Sequence, residues 1–200
     1  MNVSLESVIG PLVSERRHSK VLEAPLAAPR TGIMLHYDDS TRDDWAVAWF
    51  SDLRCRNGYT WLVLDDGRIV ELADPAMRTP HAGPCLTPMA NSRFYGISAA
   101  TNGLVLATAS QLEAIAQLAA AVCRAHGWTN AAQRIVGHNA EAVWTPDATR
   151  AAAMLDARGK PLWGRLGRKV DPTGIRADKA PIIDVALLAA RVSDLVLVER

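Results

Sequence analysis

The chain has 200 residues, of which 49% are hydrophobic and 22% are charged, and its net charge is +1 at pH 7. This length and balance fit one globular domain with a sizeable core, and the near-neutral charge gives no reason to expect a nucleic-acid partner. The three cysteines are isolated along the chain, which argues against a disulfide framework or a cysteine zinc site.

The N-terminus lacks the features of a secretory signal, because no basic start is followed by a long apolar run. The longest apolar stretches, such as VALLAA near residue 185, are too short to span a membrane. We therefore expect a protein that is made in the cytoplasm without a signal peptide and that does not insert into a membrane.

The first part of the chain predicts a strand between two helices. Residues 1–30 contain three prolines and are interpreted as an N-terminal extension with one short helix and a loose connection. TGIMLHY is typical of a short buried strand that ends at His36. Thr41 or Asp43 would cap the helix that follows in TRDDWAVAWFSDL. The helical spacing of that segment is set by its apolar residues Trp45, Ala48, Trp49 and Leu53.

The middle of the chain predicts a hairpin, a strand and the clearest helix. Two strand-like runs in GYTWLVLDDGRIVELAD flank the turn signal DDG, and FYGISAAT indicates another strand. In ATASQLEAIAQLAAAVCRAHGW, Thr108 and Gln111 form a capping box and Gly127 can end the helix. RIVGH indicates a further strand that ends at His138, and residues 182–195 indicate a final helix.

This order of elements predicts an α/β fold, a single domain with a mixed central β-sheet flanked by helices. We expect the catalytic domain to span residues 31–200, after the extension.

Two of the short apolar strands end in a histidine, His36 and His138. Ligands gather at the carboxyl ends of strands in open α/β sheets. A single histidine there is more often a structural residue, but two at matching positions favour a shared metal site. A catalytic zinc takes three protein ligands, and Asp171 in GRKVDPTG is the best candidate for the third.

Lys169 and Asp171 point to the same side of the segment if it is extended. In metal-assisted hydrolysis the carboxylate would bind the metal and the ammonium would stabilise the oxyanion. Considered alone, a charged pair at this spacing more often faces water.

Taken in order, these motifs resemble those of the zinc-dependent N-acetylmuramoyl-L-alanine amidases, the family that includes phage lysozyme-type amidases and peptidoglycan recognition proteins. The resemblance extends from about residue 31 to about residue 185. It rests on GIMLHY, GYTWLVLDDG, PHAGP, YGIS, TASQLEAIAQL, IVGH and KVDPTG. It implies a peptidoglycan recognition protein-like fold and an enzyme that cleaves the amide bond between N-acetylmuramic acid and L-alanine in peptidoglycan.

The resemblance also implies roles for particular residues. One Zn2+ per chain would be held by His36, His138 and Asp171. Lys169 matches the lysine that stabilises the oxyanion, and Tyr59 matches a tyrosine near the attacking water in many members.

Two further positions match the substrate side of the site. His81 in PHAGP is one of them, although a structural turn histidine is an equal alternative. Ser98 is the other, at a position where some relatives carry a catalytic glutamate. Proton transfer would then depend on Tyr59 or on the metal-activated water, with Glu141 as a reserve acid.

The segment from 139 to 168 is longer than in compact members of the family and contains Trp144 and Trp163. Basic residues outnumber acidic ones between 150 and 169, which is typical either of a solvated face or of a lid over the cleft. In the second case the basic groups would meet peptide carboxylates, and the two tryptophans would stack on sugar.

A catalytic domain without an export signal indicates a phage endolysin that reaches the wall after release by another protein. Two alternatives stay open: a cytoplasmic amidase that recycles wall fragments, and a non-catalytic peptidoglycan-binding module. We expect a monomer whose partner is bacterial peptidoglycan.

Overall fold

The structure is a computed structural model that describes residues 4–19, 23–40, 42–83, 85–102, 105–141 and 181–198. Its helices are α1 (Leu5–Ile9), α2 (Asp43–Ser51), α3 (Ala90–Arg93), α4 (Ala109–Ala125), α5 (His138–Glu141) and α6 (Val185–Val198). Its strands are β1 (Val13–Arg16), β2 (Gly32–Tyr37), β3 (Trp61–Val63), β4 (Ile69–Glu71), β5 (Phe94–Ala99) and β6 (Ile135–Gly137).

The described strands form one mixed sheet in the order β1-β4-β3-β5-β2-β6. β3 and β4 are antiparallel, whereas the four adjacent strands β3, β5, β2 and β6 are parallel to one another. The carboxyl ends of these four parallel strands therefore lie at the same edge of the sheet. The predicted α/β fold with a mixed central sheet is confirmed.

The main core lies on the face of the sheet that α4 and α6 cover. Strand residues on this face alternate with residues on the other face, as the two-residue period of a strand requires. The buried side chains of this core include Ile33, Leu35, Trp61, Ile97, Ile115, Leu118 and Val192. The opposite face holds smaller apolar clusters and carries the candidate functional residues His36, Tyr59 and Ser98.

The long helix and the hairpin are confirmed together with their local signals. Thr108 Oγ1 accepts a hydrogen bond from the Gln111 backbone N–H (3.1 Å), and Gln111 Oε1 accepts one from the Thr108 N–H (2.9 Å). Gly127 follows the helix with φ +66°, and Gly67 has φ +88° in the hairpin turn, a region that glycine adopts readily.

The helix α2 differs from its prediction at its first residue. Its N-cap is Arg42, which makes no side-chain capping hydrogen bond, and Asp43 is already helical. The Asp43 carboxylate instead accepts a hydrogen bond from the Asp65 N–H at 3.2 Å, across to the hairpin turn. The prediction of Asp43 as the cap is therefore wrong, because a tertiary contact takes its side chain. Thr41 lies outside the described residues.

The large apolar residues that predicted helix α2 face solvent and not the core. Trp45 and Trp49 are 59% and 51% exposed, whereas Ala46 and Phe50 are buried against the hairpin. The helical period correctly predicted a helix, but the residues of α2 that pack into the core are Ala46 and Phe50 and not the two tryptophans.

The N-terminal segment is more ordered than a loose connection, because β1 forms an edge strand parallel to β4. The pairing continues beyond the strand, where the Arg17 and Ser19 N–H groups donate to the carbonyl oxygens of Glu71 and Leu72. The domain boundary at residue 31 stays a prediction.

The same segment supplies partners to a buried carboxylate. Glu71 is 1% exposed, and its carboxylate lies 3.1 Å from Arg16 Nε and 2.7 Å from His18 Nε2. Trp61 Nε1 donates to the other oxygen of this carboxylate at 3.3 Å. The N-terminal segment therefore completes the environment of a group that is costly to bury without partners.

No helix in the described ranges is both long and apolar enough to cross a membrane.

The buried side chain of Gln111 generates a stability prediction. Its Nε2 donates to the carbonyl oxygens of Val63 and Ala100, both at 3.1 Å, at the ends of β3 and β5. Replacement by alanine removes both of these buried hydrogen bonds and the one that Gln111 Oε1 accepts from the Thr108 N–H, although the Val63 carbonyl keeps the Ala100 N–H at 2.8 Å. We therefore expect Gln111→Ala to lower the free energy of unfolding by about 2–4 kcal/mol. Gln117→Ala, an exposed change on the same helix, is the matched control and should stay within about 0.5 kcal/mol. Equal urea midpoints for the two variants would contradict the prediction.

Candidate active site

The parallel strands bring three predicted site residues to one edge of the sheet. His36 is the fifth residue of β2, and its register partner on β5 is Ser98. His138 directly follows β6, which pairs with the other side of β2, and it begins α5. Both histidines therefore lie at the carboxyl ends of strands, as predicted, although β2 extends one residue beyond His36 and His138 follows β6. Their imidazole rings are adjacent.

The two imidazole rings face each other through the same kind of atom. His36 Nδ1 and His138 Nδ1 are 3.1 Å apart, and the ring centroids are 4.6 Å apart. Both side chains are buried, so bulk water does not separate them. Whether the two nitrogens share a hydrogen bond or repel each other depends on which of them carries a hydrogen atom.

The other ring nitrogens decide the tautomers. His138 Nε2 lies 2.7 Å from the carbonyl oxygen of Ala82, and since a carbonyl only accepts, this nitrogen carries the hydrogen. His81 Nε2 lies 3.1 Å from the carbonyl oxygen of Phe94 and donates for the same reason. In neutral His81 the Nδ1 atom is then an acceptor, and His36 Nε2, 3.0 Å away, donates to it.

The neutral forms of His36 and His138 thus present two Nδ1 lone pairs to each other at hydrogen-bond distance. Two acceptors at 3.1 Å repel unless a cation or a proton lies between them. Two nitrogens bound at 2.0–2.1 Å to a tetrahedral zinc are about 3.3–3.4 Å apart, close to the separation seen here. The pair therefore fits two of the ligands of a zinc site, with the outer hydrogen bonds that orient such ligands.

The third predicted ligand, Asp171, lies outside the described residues, as does Lys169. Within the described ranges no group of three or more His, Cys, Asp or Glu side chains is arranged to hold a metal ion. His81 does not add a third ligand, because its Nδ1 is hydrogen bonded to His36.

His81 is held from several directions. Its backbone N–H donates to Asn91 Oδ1 (2.9 Å) and to the Thr79 carbonyl (3.0 Å), and its ring lies close to the sheet at Gly96. A Cβ atom at position 96 would lie 2.8 Å from His81 Cγ, so the ring occupies the space that a side chain would fill. Burial, followed by the charge of His36, lowers the pKa of His81 well below its usual value. His81 is therefore neutral near pH 7 and keeps one tautomer.

Tyr59 lies beside this pair. Its ring centroid is 4.9 Å from that of His36, and its hydroxyl donates to the Tyr37 carbonyl oxygen at 3.4 Å. Phe50 of α2 packs edge-on against the same ring at 5.2 Å. The phenol is thus close to the two histidines, and its catalytic role stays a prediction.

The remaining predicted residues differ in how far the structure describes them. Ser98 has no exposed surface, and its hydroxyl donates to the Ala99 carbonyl at 3.4 Å. His81 is 7% exposed. The substrate-binding roles of both stay predictions. Glu141 is the last residue of α5, and its role is likewise untested. Trp144 and Trp163 lie outside the described residues.

Sequence reasoning missed the glycine that makes room for His81. Gly96 stood in the predicted strand FYGISAAT, where a glycine indicates a close approach by another group. That signal was available, but nothing local identified His81 as the group that approaches. The carbonyl oxygens of Ala82 and Phe94 carry no sequence signal, because every residue has one.

Comparisons with known proteins identify the family and the fold of the chain. The family model described as N-acetylmuramoyl-L-alanine amidase matches residues 26–172. This range includes all three predicted zinc ligands and Lys169. No curated protein matches the chain.

Solved structures with the same fold include a hydrolase, an AmpD derivative and an endolysin. The hydrolase AmiA of Staphylococcus aureus, in complex with its ligand, is 15% identical with a TM-score of 0.59 and covers 100% of this chain and 93% of its own. The selenomethionine derivative of AmpD is 18% identical with a TM-score of 0.52, covering 68% and 86%. A mutant endolysin from Bacillus subtilis is 16% identical with a TM-score of 0.52, covering 64% and 84%. At these identities the similarity establishes the fold alone.

The hydrogen bonds of His81 predict a tautomer and a stability effect. We expect His36, His81 and His138 all to carry a hydrogen on Nε2, as measured by two-dimensional 1H–15N NMR of the imidazole nitrogens. His81→Ala leaves the Phe94 carbonyl and the His36 N–H without these partners. It should lower the free energy of unfolding by about 2–4 kcal/mol and allow both tautomers of His36.

The matched control is His126→Ala, which removes an exposed histidine that bonds to Tyr95 at the far end of α4. It should leave the His36 tautomer unchanged. A hydrogen on Nδ1 of His81 in the unmodified protein would contradict the assignment.

Proposed function

Because the chain belongs to the N-acetylmuramoyl-L-alanine amidase family, we propose that it hydrolyses the amide bond between N-acetylmuramic acid and L-alanine in peptidoglycan. The observation that carries the proposal is the pair of Nδ1 atoms, 3.1 Å apart, at the carboxyl edge of the sheet. A binding module without chemistry has no need of two buried imidazoles held with their lone pairs facing each other.

We propose one zinc ion per chain, held by His36, His138 and Asp171. When bound, zinc polarises a substrate carbonyl and lowers the pKa of a water molecule. The two histidines are oriented for this role by the Ala82 carbonyl and by His81. Such outer hydrogen bonds raise the basicity of the ligands and restrict the rotation of their rings.

Tyr59 and Lys169 supply the remaining groups of the proposed reaction. The Tyr59 hydroxyl is bonded to Tyr37 at 3.4 Å, a long bond that it can exchange for one to a substrate or a water molecule. Its ring contact with His36 keeps the phenol beside the reacting groups. The Lys169 ammonium would stabilise the negative charge that develops on the attacked carbonyl oxygen.

The biological setting is part of the proposal. We favour a phage endolysin that is made in the cytoplasm and reaches the wall after release. A recycling amidase would use the same chemistry on soluble fragments, so the preferred substrate separates the two settings.

The proposed function is tested by mass analysis of digests of purified peptidoglycan and of a soluble muropeptide. We expect free L-alanine amino termini and no new reducing sugar ends, with loss of activity in the presence of a chelator and recovery with zinc. His138→Ala should cleave neither substrate. New reducing ends would indicate a glycosidase, and binding without cleavage would indicate a non-catalytic module.

The position of Tyr59 beside His36 predicts the effect of removing its hydroxyl. Tyr59→Phe should lower kcat by at least about tenfold, within the range for a positioned proton-transfer group. It should keep the metal content, because the ring contacts remain. Ser98→Ala is the comparison and should change kcat by less than about threefold, since its hydroxyl is buried and a serine is a poor base. A nearly unchanged kcat for Tyr59→Phe on a soluble muropeptide would rule out this role.

A further inference from the structure

The exposed stripe of α2 borders an open cavity of about 460 Å³, within the range of ligand pockets. Trp45 and Trp49 are one helical turn apart and both line it. The two half-exposed indoles form an apolar surface rimmed by polar residues, which is typical of a binding site. The core did not require them there, because Ala46 and Phe50 already fill the buried side of the helix.

One of the two indoles is held in place. The Arg42 guanidinium lies 4.9 Å from the ring centroid of Trp45 and is itself bonded to both carboxylate oxygens of Asp44, at 2.9 and 2.5 Å. This stacking restricts the rotation of the indole while the ring stays more than half exposed. A rigid aromatic surface binds a ligand with a smaller loss of conformational entropy than a mobile one.

The polar groups of the cavity define the chemistry of its ligand. The carboxylates of Asp38, Asp39 and Asp52 line it together with a single guanidinium, Arg54, which is paired with Asp52 at 2.6 Å. Even without Asp39, the carboxylates of Asp38 and Asp52 outnumber Arg54, so the described lining disfavours the carboxylates of a stem peptide and an anionic membrane surface. Carboxylates accept hydrogen bonds from hydroxyl groups, and indole faces pack against apolar C–H faces. A neutral saccharide presents both features.

The cavity adjoins the candidate active site through two ring contacts. Phe50 lines the cavity and packs against Tyr59 at 5.2 Å, and Tyr59 packs against His36 at 4.9 Å. Asp38 follows His36 by only two residues along the chain. The cavity is thus separated from the histidine pair by the thickness of two aromatic rings, a distance that neighbouring sugar units of one glycan strand can bridge.

We propose that Trp45 and Trp49 form a glycan platform that binds the neutral N-acetylhexosamine units next to the muramic acid whose amide is cleaved. This rests on the proposed function, and it deepens it by assigning the glycan strand, rather than the peptide, to the α2 side of the site. The platform would give the protein a preference for long glycan strands over single-sugar fragments.

The test compares two substrates that carry the same peptide, one on a single muramic acid and one on a four-sugar glycan. For Trp45→Ala/Trp49→Ala, kcat/KM on the long substrate should fall about 10- to 100-fold further than on the short one, from the loss of two aromatic contacts. Trp45→Phe/Trp49→Phe should retain most of the preference. Leu53→Ala and Leu187→Ala, which remove exposed leucines that do not line the cavity, are the matched controls and should behave like the unmodified protein.

A second measurement does not depend on catalysis. Binding of peptide-free N-acetylglucosamine tetramer, followed by titration calorimetry, should be lost in the double alanine variant and kept in both leucine controls. If the protein cleaves no substrate but binds the tetramer through these tryptophans, the amidase proposal fails and the platform stands. Equal losses on both substrates, or unaltered tetramer binding, would overturn the platform. A change from dimer to monomer, or loss of vesicle binding, in the double variant would also overturn it and assign the surface to self-association or to a membrane.

Discussion

The hydrogen bond between His36 and His81 is the interaction on which the candidate active site depends. It assigns the hydrogen of His36 to Nε2 and so turns the Nδ1 lone pair toward His138. His81 reaches His36 because its ring contacts the sheet at Gly96. A side chain at position 96 would occupy the space of that ring. A backbone feature of β5 therefore determines the chemistry of a side chain on β2.

One loop orients both histidines. Residues 79–82 contribute the His81 ring to His36 and the Ala82 carbonyl to His138. A buried guanidinium braces the neighbouring chain, because Arg30 donates to the carbonyl oxygens of Phe94 and Met77 and stacks on the Tyr95 ring at 4.3 Å. Burial lowers the pKa of Arg30 to about 10, which still leaves it charged at neutral pH. Loop, strand and site are thus joined by hydrogen bonds between buried groups.

The elements with local determinants could be predicted from the sequence, and the contacts between distant segments could not. The Thr108–Gln111 capping box and the DDG turn depend on neighbours within a few residues, and the strand-end rule brings His36 to His138. The exposure of Trp45 could not be inferred, because helical spacing shows which residues share a face of the helix but not whether that face packs against the core. The contact of His81 with His36 depends on a loop that crosses the sheet 45 residues later.

The partners of the buried Glu71 carboxylate limit how far the chain can be shortened at its N-terminus. The family match begins at residue 26, but two partners of this carboxylate, Arg16 and His18, precede that point. A protein trimmed to the matched range would leave a charged group inside the sheet with the Trp61 indole as its remaining described partner, and it would uncover the hydrogen-bonding edge of β4. It would also lose α6, whose buried side chains complete the core on α4. The range that the family model matches is therefore shorter than the unit that folds, and residues on both sides of it belong to that unit.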